Sequence, residues 1–427
     1  MDNPSQLATE HTLNYVAGDP LGTVNPDIAQ LSQYTGSDEC FQLAKGWLEK
    51  CLASHASCSQ WSGQSLPTRL LDVGDSVACE RIRLVLAEEV PGGSSYLTLS
   101  YCWGKTKPLV LTTALLATFR TSITISALPR TIQDAVDITR RLGYRFLWID
   151  SLCIIQDSVD DWERQAKRMD TVYLGSTVTI AATASASHEG GCNTKREPLT
   201  YLPCRVSGTA HSGIYVCRSL LSRKVIAIQE QFIEKAPLNT RAWVLQERIL
   251  SRRLLHFTEN TLYWDCSAPQ ATDSCPEGQR VSNTRLLGLN VRWRLRNHMG
   301  PDPKTERGVA SYDKILDRLK RAFPSFETPS MWDTERKFHG DWQTVVRLYS
   351  SCSLTVSSDK TVALGGIVQW LKRGRGLQYA DGFWYRNTLA PQQLLWASDA
   401  AKPLVRPQFR GALVVLALRG RPHCVPH

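Results

Sequence analysis

The chain has 427 residues, 42% hydrophobic and 21% charged, with 13 Trp, 13 Tyr and 10 Phe, which excludes a disordered protein and supplies a sizeable core. Its formal net charge of +10 sets 50 Lys and Arg against 40 Asp and Glu spread along the sequence. No dense basic run interleaved with aromatics occurs, so nucleic acid is not an expected partner. The nearest run, Arg292 to Arg296, reads as an amphipathic surface helix. An odd count of 13 cysteines behind a polar start points to a reducing, cytoplasmic compartment. No apolar stretch reaches the roughly 20 residues of a spanning helix.

In chain order, residues 1–38 are polar and aperiodic and read as a poorly ordered lead-in. The approach segment 39–95 opens with an amphipathic helix, because Phe41, Ala44, Trp47, Leu48 and Cys51 fall at helical spacing. Tyr96 to Trp103 reads as a strand ended by Gly104. Leu128-Pro129 opens a helix with Ile132, Ala135, Val136 and Leu142 on one face. Thr131 and Asp134 have the spacing of a capping box there, and Gly143 suits the C-terminal cap. Arg145 to Ile155 is apolar except near Asp150, the pattern of a strand buried on both faces.

Asp157, Asp160, Asp161 and Glu163 complement the N-terminal dipole of a further helix, whose apolar stripe is Trp162, Ala166, Met169 and Tyr173. Val178 to Ala182 is the next strand, and a loop-rich insertion covers 185–203. Arg241 to Leu250 reads as helical, followed by a hairpin of Leu254–Phe257 and Thr261–Asp265 around Thr258-Glu259-Asn260. Helices are expected near Val309–Phe323 and Trp342–Leu348. The alternation predicts an α/β domain over 96–250, a mostly parallel sheet flanked by helices, with an α+β C-terminal extension over 251–427.

Several residues carry chemistry. Asp150 stands at the end of a predicted parallel strand, the edge where open α/β sheets hold ligands. A carboxylate there can bind a ribose hydroxyl or act as a base, or it can simply cap a turn. In the helix, Trp243 and Glu247 share a face beside Arg241 and Gln246, a set able to hold a nucleotide; the plainer alternative is a surface ion pair of Glu247 with Arg241 or Arg248. Trp103 can stack on a base and Gly104 permits close backbone approach, against core packing as the alternative. Cys51, His55 and Cys58, with Cys40 nearby, are zinc-type donors, but their spacing fits no standard finger. Reduced cysteines packed on Trp47 are expected, and no metal is assigned. No glycine-rich phosphate loop of the Rossmann or P-loop type occurs.

Three segments in this order resemble the fungal heterokaryon incompatibility (HET) domain family: Leu99-Ser100-Tyr101-Cys102-Trp103-Gly104, Trp148-Ile149-Asp150-Ser151-Leu152-Cys153-Ile154-Ile155-Gln156-Asp157, and Arg241-Ala242-Trp243-Val244-Leu245-Gln246-Glu247-Arg248. The segment Leu128 to Trp148 resembles the family's connecting helix, 66–73 and the Cys51, His55, Cys58 group its N-terminal approach, and Asp359 to Ile367 a downstream helix. The C-terminus departs from the pattern: after Arg406-Pro407-Gln408-Phe409-Arg410 the family commonly runs into an APSWSW-like segment, and this chain continues differently from Gly411, as an altered or truncated end would.

The resemblance implies a cell-death-inducing domain that acts when genetically different fungal cells fuse, working through protein partners or self-association. It also implies distant similarity to TIR domains, some of which cleave NAD. NAD would then be a substrate rather than a cofactor, with Asp150 or Glu247 stabilising the developing cationic sugar.

Overall fold

The computed structural model describes residues 13–17, 33–59, 66–76, 78–106, 108–196, 204–209, 212–218, 230–267, 270–279, 291–297, 329–353, 362–375, 377–380 and 383–385. The helix expected near Val309–Phe323, the chain from 197 to 203 and the C-terminal departure lie outside them. Two compact units divide the chain, Met1–Asn239 with Ser251–Ser282, and Thr240–Leu250 with Asn283–His427.

The strands of the first unit are β1 (Leu13–Ala17), β2 (Arg69–Asp72), β3 (Arg81–Leu86), β4 (Tyr96–Ser100), β5 (Ile123–Thr124), β6 (Phe146–Trp148), β7 (Thr179–Ala181), β8 (Cys204–Thr209), β9 (Ser212–Arg218), β10 (Leu254–Phe257), β11 (Leu262–Asp265), β12 (Gln270–Thr272) and β13 (Cys275–Gln279). Ten of these form one sheet in the order β13-β12-β11-β10-β7-β4-β6-β2-β3-β5, and β1-β9-β8 form a second. The large sheet is mixed. Its four central strands, β10-β7-β4-β6, are parallel, and pairing turns antiparallel toward both edges, including the predicted hairpin β10–β11.

The helices of this unit are α1 (Asp38–Ser54), α2 (Ala56–Ser59), α3 (Leu116–Thr121), α4 (Arg130–Arg141), α5 (Asp150–Cys153), α6 (Val159–Ala166) and α7 (Met169–Gly175). The α/β fold expected from the sequence is therefore present, with a parallel centre. Burial on both faces explains why the central strands are short and apolar: Leu97, Leu99, Leu147, Trp148, Ile180 and Leu255 are essentially without exposure. The polar Thr98 and Thr179 face each other in register and share a hydrogen bond at 2.8 Å, and Thr179 continues to Ser251 at 2.5 Å, so these three core hydroxyls are satisfied.

Four local expectations are corrected. β4 ends at Ser100, so Tyr101 to Gly104 form the loop at its carboxyl end. The apolar run 145–155 is a three-residue strand followed by α5, whose first residue Asp150 accepts the Ser151 amide at 2.7 Å. The acidic helix breaks between α6 and α7, where Arg168 donates to Thr68 Oγ1 at 3.0 Å and to the Leu66 carbonyl at 3.3 Å. Its Trp162 is only half-buried while Asp161 is buried.

The capping box of α4 does not form either. Thr131 Oγ1 accepts the Gly191 amide at 3.0 Å, and Asp134 accepts those of Cys192 and Asn193 at 2.8 and 3.2 Å, so both side chains hold the loop after β7. Gly143 does take the left-handed conformation, with φ +85°, just past that helix.

In the second unit, α8 (Ala242–Leu250), α9 (Val291–Asn297), α10 (Pro329–Ser351) and α11 (Val362–Arg375) pack with the hairpin β14 (Gln378–Ala380) and β15 (Phe383–Tyr385). The helix expected near Trp342–Leu348 is part of α10. An aromatic cluster forms this unit's core, with Trp384 at ring-centroid distances of 5.5 Å from Phe338, 5.3 Å from Trp342 and 4.8 Å from Tyr379.

Candidate functional site

The carboxyl ends of β4, β6, β7 and β10 lie along one edge of the parallel centre. Trp103, Gly104 and Asp150 meet there. The Trp103 indole donates to Asp150 Oδ2 at 3.1 Å, the Ser151 amide donates to Oδ1 at 2.7 Å, and the Tyr101 hydroxyl donates to Ser151 Oγ at 2.8 Å. Gln156 Nε2 donates to the Asp150 carbonyl at 3.1 Å, which fastens the end of α5. Gly104 holds φ +81°, and a Cβ on it would stand 2.6 Å from Ser187 Cβ, so the β4 loop lies directly on the loop after β7.

From that loop, buried His188 donates Nδ1–H to the Trp103 carbonyl, and its Nε2 stands 3.2 Å from Glu189 Oε1. The carbonyl partner fixes the ring's orientation and places its proton on Nδ1. His188 and Glu189 are site residues that sequence reading missed. No periodicity marks them, because they sit in a loop positioned by Thr131 and Asp134 of α4.

Arg241, Trp243, Gln246 and Glu247 belong to the second unit. There Gln246, fully buried, accepts the Gly366 amide at 3.0 Å, and a Cβ on Gly366 would come within 2.6 Å of that Gln246 oxygen. Glu247 is 5% exposed, so it is a buried residue rather than one of the helix surface. Arg241 pairs through its backbone with Ser353, and Trp243 is half-buried. Thus Trp103, Gly104 and Asp150 converge in one unit, and Trp243, Gln246 and Glu247 stand on α8 of the other, with Arg241 just before it.

The cysteines divide differently from their order in sequence. Cys40 donates to the Tyr34 carbonyl and is contacted by Arg196, whereas Cys51, His55 and Cys58 are joined by Cys266, which follows β11. Hydrogen bonds from the Cys266 thiol, then Cys51 and Ser267, drive the Cys58 thiol far below its usual range, and those same contacts with Cys51 and Cys58 push Cys266 up.

Among the described residues, no helix is long and apolar enough to cross a membrane. No curated protein and no solved structure is significantly similar to the chain. Residues 96–247 match the family model described as Heterokaryon incompatibility protein (HET), a span running from the first residue of β4 into α8 and containing Trp103, Gly104, Asp150, Arg241, Trp243, Gln246 and Glu247. The parallel strands, the loops at their carboxyl edge and this match agree with the three sequence motifs: residues 96–247 are a HET domain, which supports a role related to heterokaryon incompatibility.

Proposed function

We propose that the chain is a cytoplasmic effector or adaptor of fungal self/non-self recognition that triggers regulated cell death by self-assembly or by binding a protein partner. The observation that carries this reading is the state of Asp150. One carboxylate oxygen accepts the Trp103 indole and the other the Ser151 amide, so this group at the ligand edge ties the β4 loop to α5. A general base needs an oxygen aimed at its substrate, and a clamp of this kind serves rigidity. Buried free thiols at Cys102, Cys153 and Cys192 suit a reducing compartment.

The second reading is a TIR-like NAD glycohydrolase. It is favoured by the place of a half-exposed Asp150 beside Trp103 and His188 at the carboxyl end of parallel strands, where α/β sheets bind ligands. The two are separated by incubating the purified full chain with NAD, alone and clustered, and following nicotinamide. Assembly predicts no release in any condition. Release from the wild type that disappears in folded Asp150→Ala or Glu247→Ala would establish the enzyme instead.

A further inference from the structure

Four soft donors meet in the first unit, away from the edge that carries Asp150. Cys51 lies in the last turn of α1 and His55 is that helix's C-cap residue, with its amide donating to the Cys51 carbonyl at 3.1 Å. The Cys58 amide then donates to the His55 carbonyl at 2.9 Å, folding α2 back so that all three side chains face one point. Cys266 arrives from the end of β11, 211 residues beyond His55, with its sulfur 3.4 Å from His55 Nδ1. The three sulfurs and the imidazole nitrogen all lie within 4.8 Å of one another. A tetrahedral zinc ion with bonds of about 2.3 Å to sulfur and 2.0–2.1 Å to nitrogen sets its ligand atoms about 3.5–3.8 Å apart. The four groups need to close by no more than about 1 Å to reach that geometry.

A second observation is independent of those distances. Arg253 is 1% exposed and permanently charged, yet no carboxylate pairs with it among the described residues. Its Nε donates to Cys51 Sγ at 3.0 Å, and its two terminal nitrogens to the Thr177 carbonyl at 3.2 Å and the Cys58 carbonyl at 3.4 Å. A buried guanidinium requires an anion beside it. Three thiolates, a neutral imidazole and a divalent zinc carry one net negative charge, which Arg253 balances. Ser267 adds donors to the same group, its amide 3.4 Å and its hydroxyl 2.7 Å from Cys58 Sγ, as donors around zinc thiolates do.

We propose that Cys51, His55, Cys58 and Cys266 bind one structural zinc ion with Arg253 as its charge-balancing neighbour. Thiolate and imidazole donors select zinc over the hard cations, and four protein donors leave no position for a substrate. The ion fastens α1 to the sheet at the place where Trp47 packs against Trp264 in a tilted arrangement with centroids 6.5 Å apart and donates its indole N–H to the Pro276 carbonyl at 2.9 Å.

The test is elemental analysis of the full chain purified without chelator. One zinc per chain is expected, retained in Cys79→Ser, whose thiol is exposed, and lost in Cys58→Ser and Cys266→Ser. Arg253→Met is expected to weaken zinc binding by about 10–100-fold, the usual range for loss of an outer partner. Should the cysteine variants fail to fold, wild type alone decides. Cobalt(II) exchanged into it must give intense thiolate charge-transfer absorption, and chelator must lower its melting temperature reversibly. Folded wild type from zinc-replete cells without stoichiometric zinc, iron with acid-labile sulfide in its place, or full zinc in folded Cys266→Ser would overturn the proposal.

Discussion

Gly104 stands with φ +81° at the point where the β4 loop touches Ser187. An L side chain is strained in that conformation by about 1–2 kcal/mol, and here the added Cβ also meets Ser187 Cα at 3.1 Å, so the neighbouring backbone must move. Gly104→Ala is therefore expected to lower unfolding stability in urea by at least that amount; an unchanged midpoint would show that the loop has room. The sequence displayed Trp103, Gly104 and Asp150 as motif residues, but it could not show what they touch. Their partners, Ser187 and His188, come from a loop whose course depends on hydrogen bonds to Thr131 and Asp134, two residues whose spacing reads as a local cap. A local pattern and a long-range contact compete for the same side chains, and the long-range contact wins.

Among the elements, β2 and α6 are joined by an ion pair that hydropathy conceals. Arg69 and Asp161 are both nearly buried and bonded to each other, with Arg69 Nε also donating to the Cys153 carbonyl at 2.7 Å and Asp161 accepting the Ile155 amide at 2.9 Å. Removing one partner leaves the other charge buried alone, so Arg69→Ala is expected to cost about 3–5 kcal/mol in denaturant unfolding.

Burial works to raise the Asp161 carboxyl, but the Ile155 amide, Arg69 and Arg164 outweigh it and the net shift is downward. A carboxyl depressed in the folded state stabilises above its unfolded value of about 3.9, and that contribution vanishes as pH falls through the lower folded value. The stability difference between wild type and Asp161→Asn should therefore hold from pH 7 to about 5 and shrink below about pH 4. A difference independent of pH down to acid unfolding would contradict the assignment. The acidic start of this helix was legible in the sequence as dipole complementation. Asp161 as an ion-pair partner was not, because Arg69 lies 92 residues earlier on another element.

At the scale of the molecule, the alternation of strand and helix made the parallel centre readable, since buried parallel strands are continuous apolar runs. The antiparallel flanks were less visible: β2 and β3 precede the motifs, and β12 and β13 follow them with few apolar residues. Cys266 was beyond reach for the same reason, as nothing in the spacing of Cys51, His55 and Cys58 indicates a fourth donor more than 200 residues away. The HET match runs from β4 into α8, so it takes in the sheet centre of one unit and the first helix of the other.

The central claim is that this domain signals by assembly. It is tested most directly by expressing the full chain in fungal cells, fused to an inducible dimeriser, at a level that is harmless alone, and measuring cell survival together with total NAD after dimerisation. The account predicts death on dimerisation while NAD holds steady in cells that are still intact. Collapse of NAD ahead of death, with both abolished by Asp150→Ala, would contradict it.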